Sequence, residues 1–187
     1  FSAAENQTSI GTVVASDADG DTITYSISGS DITVNSSNGV IAFASAPDYE
    51  TKTSYTATVT ASDGTNTTTQ NITVNVTNLN DNSPVFTSSA TFSAAENQTS
   101  IGTVIATDAD GDSVTFTVSG SELAITSAGV LTFVSAPDYE TKSSYSATVT
   151  ISDDTNSATQ DITVTILDAN DSAPAFTSSA GFSAAEN

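Results

Sequence analysis

The residues that could do chemistry here carry oxygen, and they are clustered. Asn78-Leu79-Asn80-Asp81-Asn82-Ser83-Pro84-Val85-Phe86 gathers Asn and Asp side chains ahead of a proline and a phenylalanine. It returns as Asp168-Ala169-Asn170-Asp171-Ser172-Ala173-Pro174-Ala175-Phe176. Such a stretch is too polar for a core strand, and its proline would leave a gap in a central ladder. It reads as a stiff joint that collects oxygen ligands. Asp48/Glu50 and Asp108/Asp110 each alternate with one intervening residue. In extended chain both members of such a pair face the same side. Carboxylates and amide oxygens in this density suit a hard cation such as calcium.

Other chemistries lack their residues. The 187-residue chain contains no His, Cys, Met or Trp. Its two basic side chains are Lys52 and Lys142, set against 22 Asp plus Glu for a net charge of -20. A chain so acidic has no footprint for nucleic-acid phosphates or for anionic lipid. Without His, Cys or Arg there is no ready base, nucleophile or oxyanion partner, so Asp48/Glu50 is not read as a glycosidase pair and no enzyme is expected. Asp17-Ala18-Asp19-Gly20-Asp21 opens like an EF-hand loop, but Thr22 stands where its glycine belongs and Ser28 where its glutamate belongs. No disulfide framework exists, which suits either the cytosol or an extracellular protein stapled by metal. No apolar run reaches membrane-spanning length. The N-terminus begins mid-pattern without a leader, as a mature or excised segment would.

The elements that position these acids come in copies. Phe1-Ser-Ala-Ala-Glu-Asn recurs at Phe92 and begins again at Phe182, a domain-sized period of about 90 residues. Within each copy polar and apolar residues alternate, as in Thr22-Ile-Thr-Tyr-Ser-Ile and Ile72-Thr-Val-Asn-Val. Seven strands are expected in the first copy, near residues 1–5, 9–15, 22–28, 32–35, 40–44, 54–61 and 68–77. Short strands at that spacing make the fold all-β, as tandem seven-stranded immunoglobulin-like sandwiches. The inward set is Ile10, Val14, Ile23, Tyr25, Ile27, Val34, Ile41, Phe43, Tyr55, Ala57, Val59, Ile72, Val74 and Val76. Domains are expected at 1–82 (shortened at its N-terminus) and 83–172, with 173–187 the first strand of a following repeat.

Loops gather at the two ends of a sandwich. Glu5, Asp48, Glu50 and Asn78 can therefore share the bottom of the first repeat, and Asp108, Asp110 and Asp153 the top of the second. A joint between two acidic lips repels itself unless a cation is present, by roughly 1 kcal/mol per close pair even in water.

These elements, in this order, resemble tandem cadherin repeats, here of a bacterial or archaeal surface adhesin or fibre kind given the near-identical, Cys-free copies. The family's Asp-x-Asn-Asp-Asn-x-Pro-x-Phe signature is similar to Asn78–Phe86, with Asn in the first place, and to Asp168–Phe176, with Ser172 replacing the last Asn. Its Glu-Asn is like Glu5-Asn6 and Glu96-Asn97. Its Asp-Arg-Glu is like Asp48-Tyr49-Glu50 and Asp138-Tyr139-Glu140, and its Asp-x-Asp like Asp17-Ala18-Asp19 and Asp108-Ala109-Asp110. Its Ala-x-Asp is like Ala61-Ser62-Asp63, and Ile151-Ser152-Asp153 with Ile for Ala.

The resemblance implies about three calcium ions at a complete joint. Two would be held by Glu5, Asp48, Glu50 and Asp81 with Asn78 assisting. The third would be held by Asp108, Asp110, Asp153, the Asn80 side chain and the Asn82 carbonyl. Asn78 gives up a charge and should weaken the middle ion. Asp17, Asp19 and Asp63 would form a half-site, as would Glu96, Asp138, Glu140, Asp168, Asn170 and Asp171.

The resemblance further implies an extracellular or cell-surface, calcium-rigidified adhesion or structural array, serving as stalk, spacer or biofilm-matrix fibre. Its partners would be neighbouring repeats, like chains in a fibre, or cell-surface polysaccharide, with no nucleic acid and no membrane insertion. Two alternatives stay open. One is calcium-dependent recognition of polysaccharide or of a like domain. The other is a filament built by strand addition, in which Pro174–Asn187 completes the first repeat of another chain.

Overall fold

The computed structural model describes residues 1–178, 180, 181 and 183. Among them there is no helix, and the chain divides into two compact units. The first comprises Phe1–Val85 together with Thr107–Val114 and Ser152–Ser157; the second comprises Phe86–Ala106, Thr115–Ile151 and Ala158–Asn187. Two loops of the second sequence repeat thus belong to the first unit, and these loops carry Asp108, Asp110 and Asp153.

The first unit holds seven strands: β1 (Ser2–Ala4), β2 (Ser9–Thr12), β3 (Thr24–Ile27), β4 (Ile32–Val34), β5 (Val40–Phe43), β6 (Ser54–Ser62) and β7 (Thr67–Thr77). All seven fall within or almost within the segments expected from alternation. They form two sheets, ordered β1-β7-β6-β3 and β2-β5-β4. The β1–β7 pair is parallel, Ser2 facing Asn75, and the β6–β7 hairpin is antiparallel from Ser54/Asn75 to Ser62/Thr67.

Val, Ile and Thr favour this pleated, half-buried setting. The inward residues Ile41, Phe43, Val59, Ile72, Val74 and Val76 form the core with Ala3, Val13 and Ile32. Phe43 meets Tyr55 edge-on, ring centroids 5.0 Å apart, and the Lys52 ammonium lies 4.0 Å above the Tyr55 ring.

Val14, expected inside, is 84% exposed, whereas Val13 is 7% exposed. The cause is a bulge in β2: Ser9 pairs with Ala42 but Gly11 with Ile41, so one extra residue is inserted. An inserted residue reverses the in–out alternation beyond it.

The short strand β8 (Val85–Phe86) follows the first sandwich in sequence, and β11 (Ala106–Thr107) lies within the second repeat, between Thr103 and Thr115. The second unit repeats the plan with β9 (Thr91–Ala95), β10 (Ser100–Thr103), β12 (Thr115–Val118), β13 (Leu123–Ile125), β14 (Val130–Phe133), β15 (Ser144–Ser152) and β16 (Ser157–Leu167). Its sheets run β12-β15-β16-β9 and β10-β14-β13, again with one parallel pair, β9–β16. The same bulge recurs between Ser100 and Gly102. The partial strand expected at Phe182–Asn187 lies, but for Ser183, outside the described residues. Residues 172–178 carry no strand, and Phe176 is fully exposed.

Candidate metal centre

β1 ends by delivering Glu5 into the interior of the first unit, where it is only 2% exposed. Its carboxylate is held from two directions. Oε2 accepts the Tyr49 N–H at 2.8 Å and Oε1 accepts the Leu79 N–H at 2.8 Å. One buried side chain thereby joins the Asp48–Glu50 loop to the joint after β7. Asn6 follows in the left-handed region, φ 61°, a conformation Asn tolerates better than most residues. From there its amide donates to Asp81 Oδ2.

Three carboxylates meet at this end. Glu5, Glu50 and Asp81 each place one oxygen within 4.8 Å of the others. Asp48 stands outside the group: its Oδ1 and Oδ2 accept the N–H and hydroxyl of Thr51, at 3.1 and 2.9 Å. Asn82 sits among the acids with its Nδ2 donating to Asp81 Oδ1 (2.9 Å), Asp110 Oδ1 (2.8 Å) and Glu50 Oε2 (3.4 Å). Asp110 Oδ2 also accepts the N–H groups of Asp81 and Asn82, at 3.1 and 2.8 Å. Asn78 donates its amide to the Asp110 carbonyl at 2.8 Å.

Asp108, Asp110 and Asp112 form a second group within 4.8 Å. Asp108 Oδ1 accepts the Asp110 N–H at 2.9 Å, while its buried Oδ2 has no hydrogen-bond partner among the described residues. Asp153, 6% exposed, closes a turn by accepting the N–H groups of Thr155 and Asn156 at 2.7 and 2.6 Å. Asn80 donates to the Asp153 carbonyl at 3.4 Å.

The half-sites differ. Glu96, Glu140 and Asp168 come together as Glu5, Glu50 and Asp81 do. Glu96 is buried and accepts the Tyr139 and Ala169 N–H groups, both at 2.7 Å. Asp138 turns to Thr141, Asp171 accepts from Asn97, and Asn170 is exposed. Asp17 accepts the N–H groups of Asp19 and Asp21, and Asp63 those of Thr65 and Asn66, each within its own loop.

Proton affinities follow these surroundings. Burial, with the Glu5 and Asp110 charges, raises the Glu50 carboxyl above its ordinary 4.5 despite an opposing backbone bond. Glu140 is also raised: a backbone bond opposes it, and burial with the Glu96 charge outweighs that bond. Asp110 is lowered from 3.8, chiefly by the Asn82 side chain. Burial raises Asp153, but the N–H groups of Asn156 and Thr155 outweigh it and the net shift is downward.

The donor set fits a hard cation. It is all oxygen, and spans below 4.8 Å match oxygens lying across an ion with bonds of about 2.3–2.6 Å. The buried Asp108 Oδ2, with no hydrogen-bond donor among the described residues, is a further oxygen available to an ion. Neither lysine neutralises the site. Lys52 pairs with Asp31 at 2.7 Å and Lys142 with Glu122 at 2.6 Å.

Residues 1–77 match the family model described as a cadherin domain, and residues 80–167 one described as a bacterial Ig domain. Cadherin EGF LAG seven-pass G-type receptor 1 of Mus musculus is 35% identical over 188 residues, covering 90% of this chain and 6% of that protein. Protocadherin Fat 4 of Homo sapiens is 39% identical over 145 residues, covering 68% of this chain and 3% of that protein. The chain is made of tandem cadherin-like repeats.

The crystal structure of mouse cadherin-23 EC22-24 matches with a TM-score of 0.74 at 25% identity, over 91% of this chain and 63% of that one. Human protocadherin-24 EC1-2 matches in fold with a TM-score of 0.74 at 23% identity, over 89% and 90%. The repeats span less than a tenth of the length of these curated relatives. Like the ectodomains they match, they are extracellular or at the cell surface. By name these relatives are cadherins and protocadherins. Among the described residues no helix is long and apolar enough to cross a membrane.

Sequence reasoning missed Asp112, Asn6 and Asn156. Asp112 is the third acid of Asp108-Ala-Asp-Gly-Asp, and the alternation that picked out the first two applied to it. Asn6 follows Glu5 in every copy of Glu-Asn. Asn156 recurs as Asn66, three residues after an aspartate in both repeats.

Proposed function

We propose that these repeats form part of a calcium-stiffened extracellular array with an adhesive or structural role and no catalytic activity. Repeats would run 1–82 and 83–172, with 173–187 opening the next. Glu5, Glu50 and Asp81, with Asp48 and Asn78 at the margin, would hold ions on one side of Asn82. Asp108, Asp110 and Asp153, with the Asn80 side chain and the Asn82 carbonyl, would hold an ion on the other. Asp17, Asp19 and Asp63, and Glu96, Asp138, Glu140, Asp168, Asn170 and Asp171, would be parts of further sites. Partners would be neighbouring repeats and like chains.

The observation that carries this reading is the meeting of Glu5, Glu50 and Asp81, drawn from three separate stretches, with no basic side chain beside them. In bulk terms calcium would supply the missing positive charge and bind the Asn78–Asn82 joint to the loops around it. Calorimetric titration with calcium and small-angle scattering with and without EDTA test the reading. At calcium about 100 times its Kd, stabilisation should reach about 2.7 kcal/mol, or roughly 5–10 °C in Tm for a chain of this size. Unchanged Tm and unchanged extension would overturn it.

The pH dependence gives a second test. Without calcium, Glu50 and Glu140 contribute stability that is complete below 4.5 and is lost as pH rises through their raised folded values. Asp63, Asp110, Asp138 and Asp153 contribute stability present above 3.8 and lost as pH falls through their lowered values. In EDTA the Tm should therefore peak between about 3.8 and 4.5 and fall toward neutrality. With calcium the order should reverse, because the ion needs Glu50 ionised. Thermal melts at stepped pH check both arms, and an EDTA curve rising steadily to pH 7 would contradict the assignment.

A further inference from the structure

The Asn156 side chain occupies a peculiar position. Its Nδ2 lies 2.8 Å from Asn80 Oδ1, 3.1 Å from the Asn82 carbonyl, 3.5 Å from the Asn80 carbonyl and 3.5 Å from Asp153 Oδ2. An amide nitrogen has two hydrogens, so four oxygens converging on it outnumber what it can bond. Oxygens in excess around one point are the surroundings of a cation rather than of an amide.

The turn that delivers this group is local. Asp153 Oδ1 accepts the Thr155 and Asn156 N–H groups, and Asp154 takes a φ of 79°. The first repeat builds the same turn: Asp63 Oδ1 accepts the Thr65 and Asn66 N–H groups at 2.7 and 2.6 Å, and among the described residues Asn66 Nδ2 donates to Asp63 Oδ2 alone, at 3.2 Å. The amide is therefore set in place by its own loop, and in the second repeat it meets Asn80 and Asn82 as well.

We infer that the Asn156 carboxamide is an internal stand-in for a cation, holding Asn80 and Asn82 to the Asp153 turn when no ion is present and rotating out when one enters. Calcium–oxygen bonds of about 2.3–2.6 Å need the space that the nitrogen fills, so ion and amide exclude each other. The latch half of the inference stands on geometry alone. The displacement half rests on the calcium reading of the joint. The consequence is a joint that stays closed in low calcium and pays for it in calcium affinity.

Thermal melts in EDTA and calcium titrations of the whole chain test this, using the wild type, Asn156→Ala, Asn156→Asp and Asn66→Ala. In EDTA, Asn156→Ala should melt below Asn66→Ala, since both lose the local bond and only the first loses the bonds to Asn80 and Asn82. A melt no lower than that of Asn66→Ala overturns the latch. In titrations, Asn156→Ala should tighten the weakest site by about five- to tenfold, the equivalent of one net hydrogen bond removed from the competing state. Unchanged or weaker affinity overturns displacement. Asn156→Asp, which swaps the donor for a charge, should melt below Asn156→Ala in EDTA and gain more from calcium than the wild type does; the reverse order overturns the stand-in. Should the wild type bind no calcium, the calcium reading and the displacement half fail together, and the EDTA comparison still decides the latch.

Discussion

Glu5→Ala should destabilise the first unit by about 2–6 kcal/mol, since two backbone donors would lose their acceptor at roughly 1–3 kcal/mol each. The donors are the Tyr49 and Leu79 N–H groups, which lie part-buried against a carboxylate that is itself buried. Glu5→Gln should fall between: its carbonyl oxygen keeps one bond, while its NH2 faces the other N–H as a second donor. Urea unfolding with unchanged m-values would report these losses.

The same substitution should remove most of calcium's stabilising effect, because it leaves Glu50 and Asp81 alone in their group. Glu96→Ala strands the Tyr139 and Ala169 donors and should cost the second unit a similar amount. A loss below 1 kcal/mol for Glu5→Ala would show that the two N–H groups find water, and the carboxylate would then be a ligand without a structural role.

Glu5 also shows how far the chain could be read before its structure was in view. Its place in a repeated Glu-Asn pair offered it as a ligand beside Glu50 and Asp81, and in the folded chain these three each place one oxygen within 4.8 Å of the others. That its two oxygens are already engaged by main-chain N–H groups was not legible, because those donors lie 44 and 74 residues away. The strands were legible for the opposite reason: alternation is a local signal, and each strand's buried face is written into its own residues. It failed at Val13 and Val14, where the pairing with β5 decides which residue is extra. Asn6, Asn82 and Asn156 mark a third limit. The sequence offers Asn82 as an oxygen ligand, yet in the folded chain the nitrogens of Asn6 and Asn82 point at carboxylates and that of Asn156 at the Asn80 amide oxygen. An amide offers either end, and without a basic side chain nearby the carboxylates select the donor.

Gly39→Ala should cost about 3 kcal/mol or more and leave the calcium response intact, which makes it the control that Glu5→Ala needs. Gly39 has a φ of +70°, where an alanine is strained by roughly 1–2 kcal/mol. A methyl there would also drive into the Val13 carbonyl oxygen, a backbone atom with no side-chain freedom to move aside. Shifting Val13 would break its N–H bond to the Gly39 carbonyl, now 2.9 Å, and disturb a core residue just beyond the β2 bulge. Gly129, at φ +78° against the Val104 carbonyl, meets the same obstacle in the second unit.

Neither glycine touches an acid of the candidate site. Ion binding to the folded state adds the same free energy whatever the stability of the fold beneath it. The calcium-induced gain in unfolding free energy should therefore match the wild type in Gly39→Ala and Gly129→Ala, and should shrink in Glu5→Ala. Denaturant titrations of the three variants, each with and without EDTA, measure both quantities together. If calcium's gain fell equally in all three, the acids would be responding to loss of the fold, and the separation of a metal centre from the sandwich that carries it would not hold.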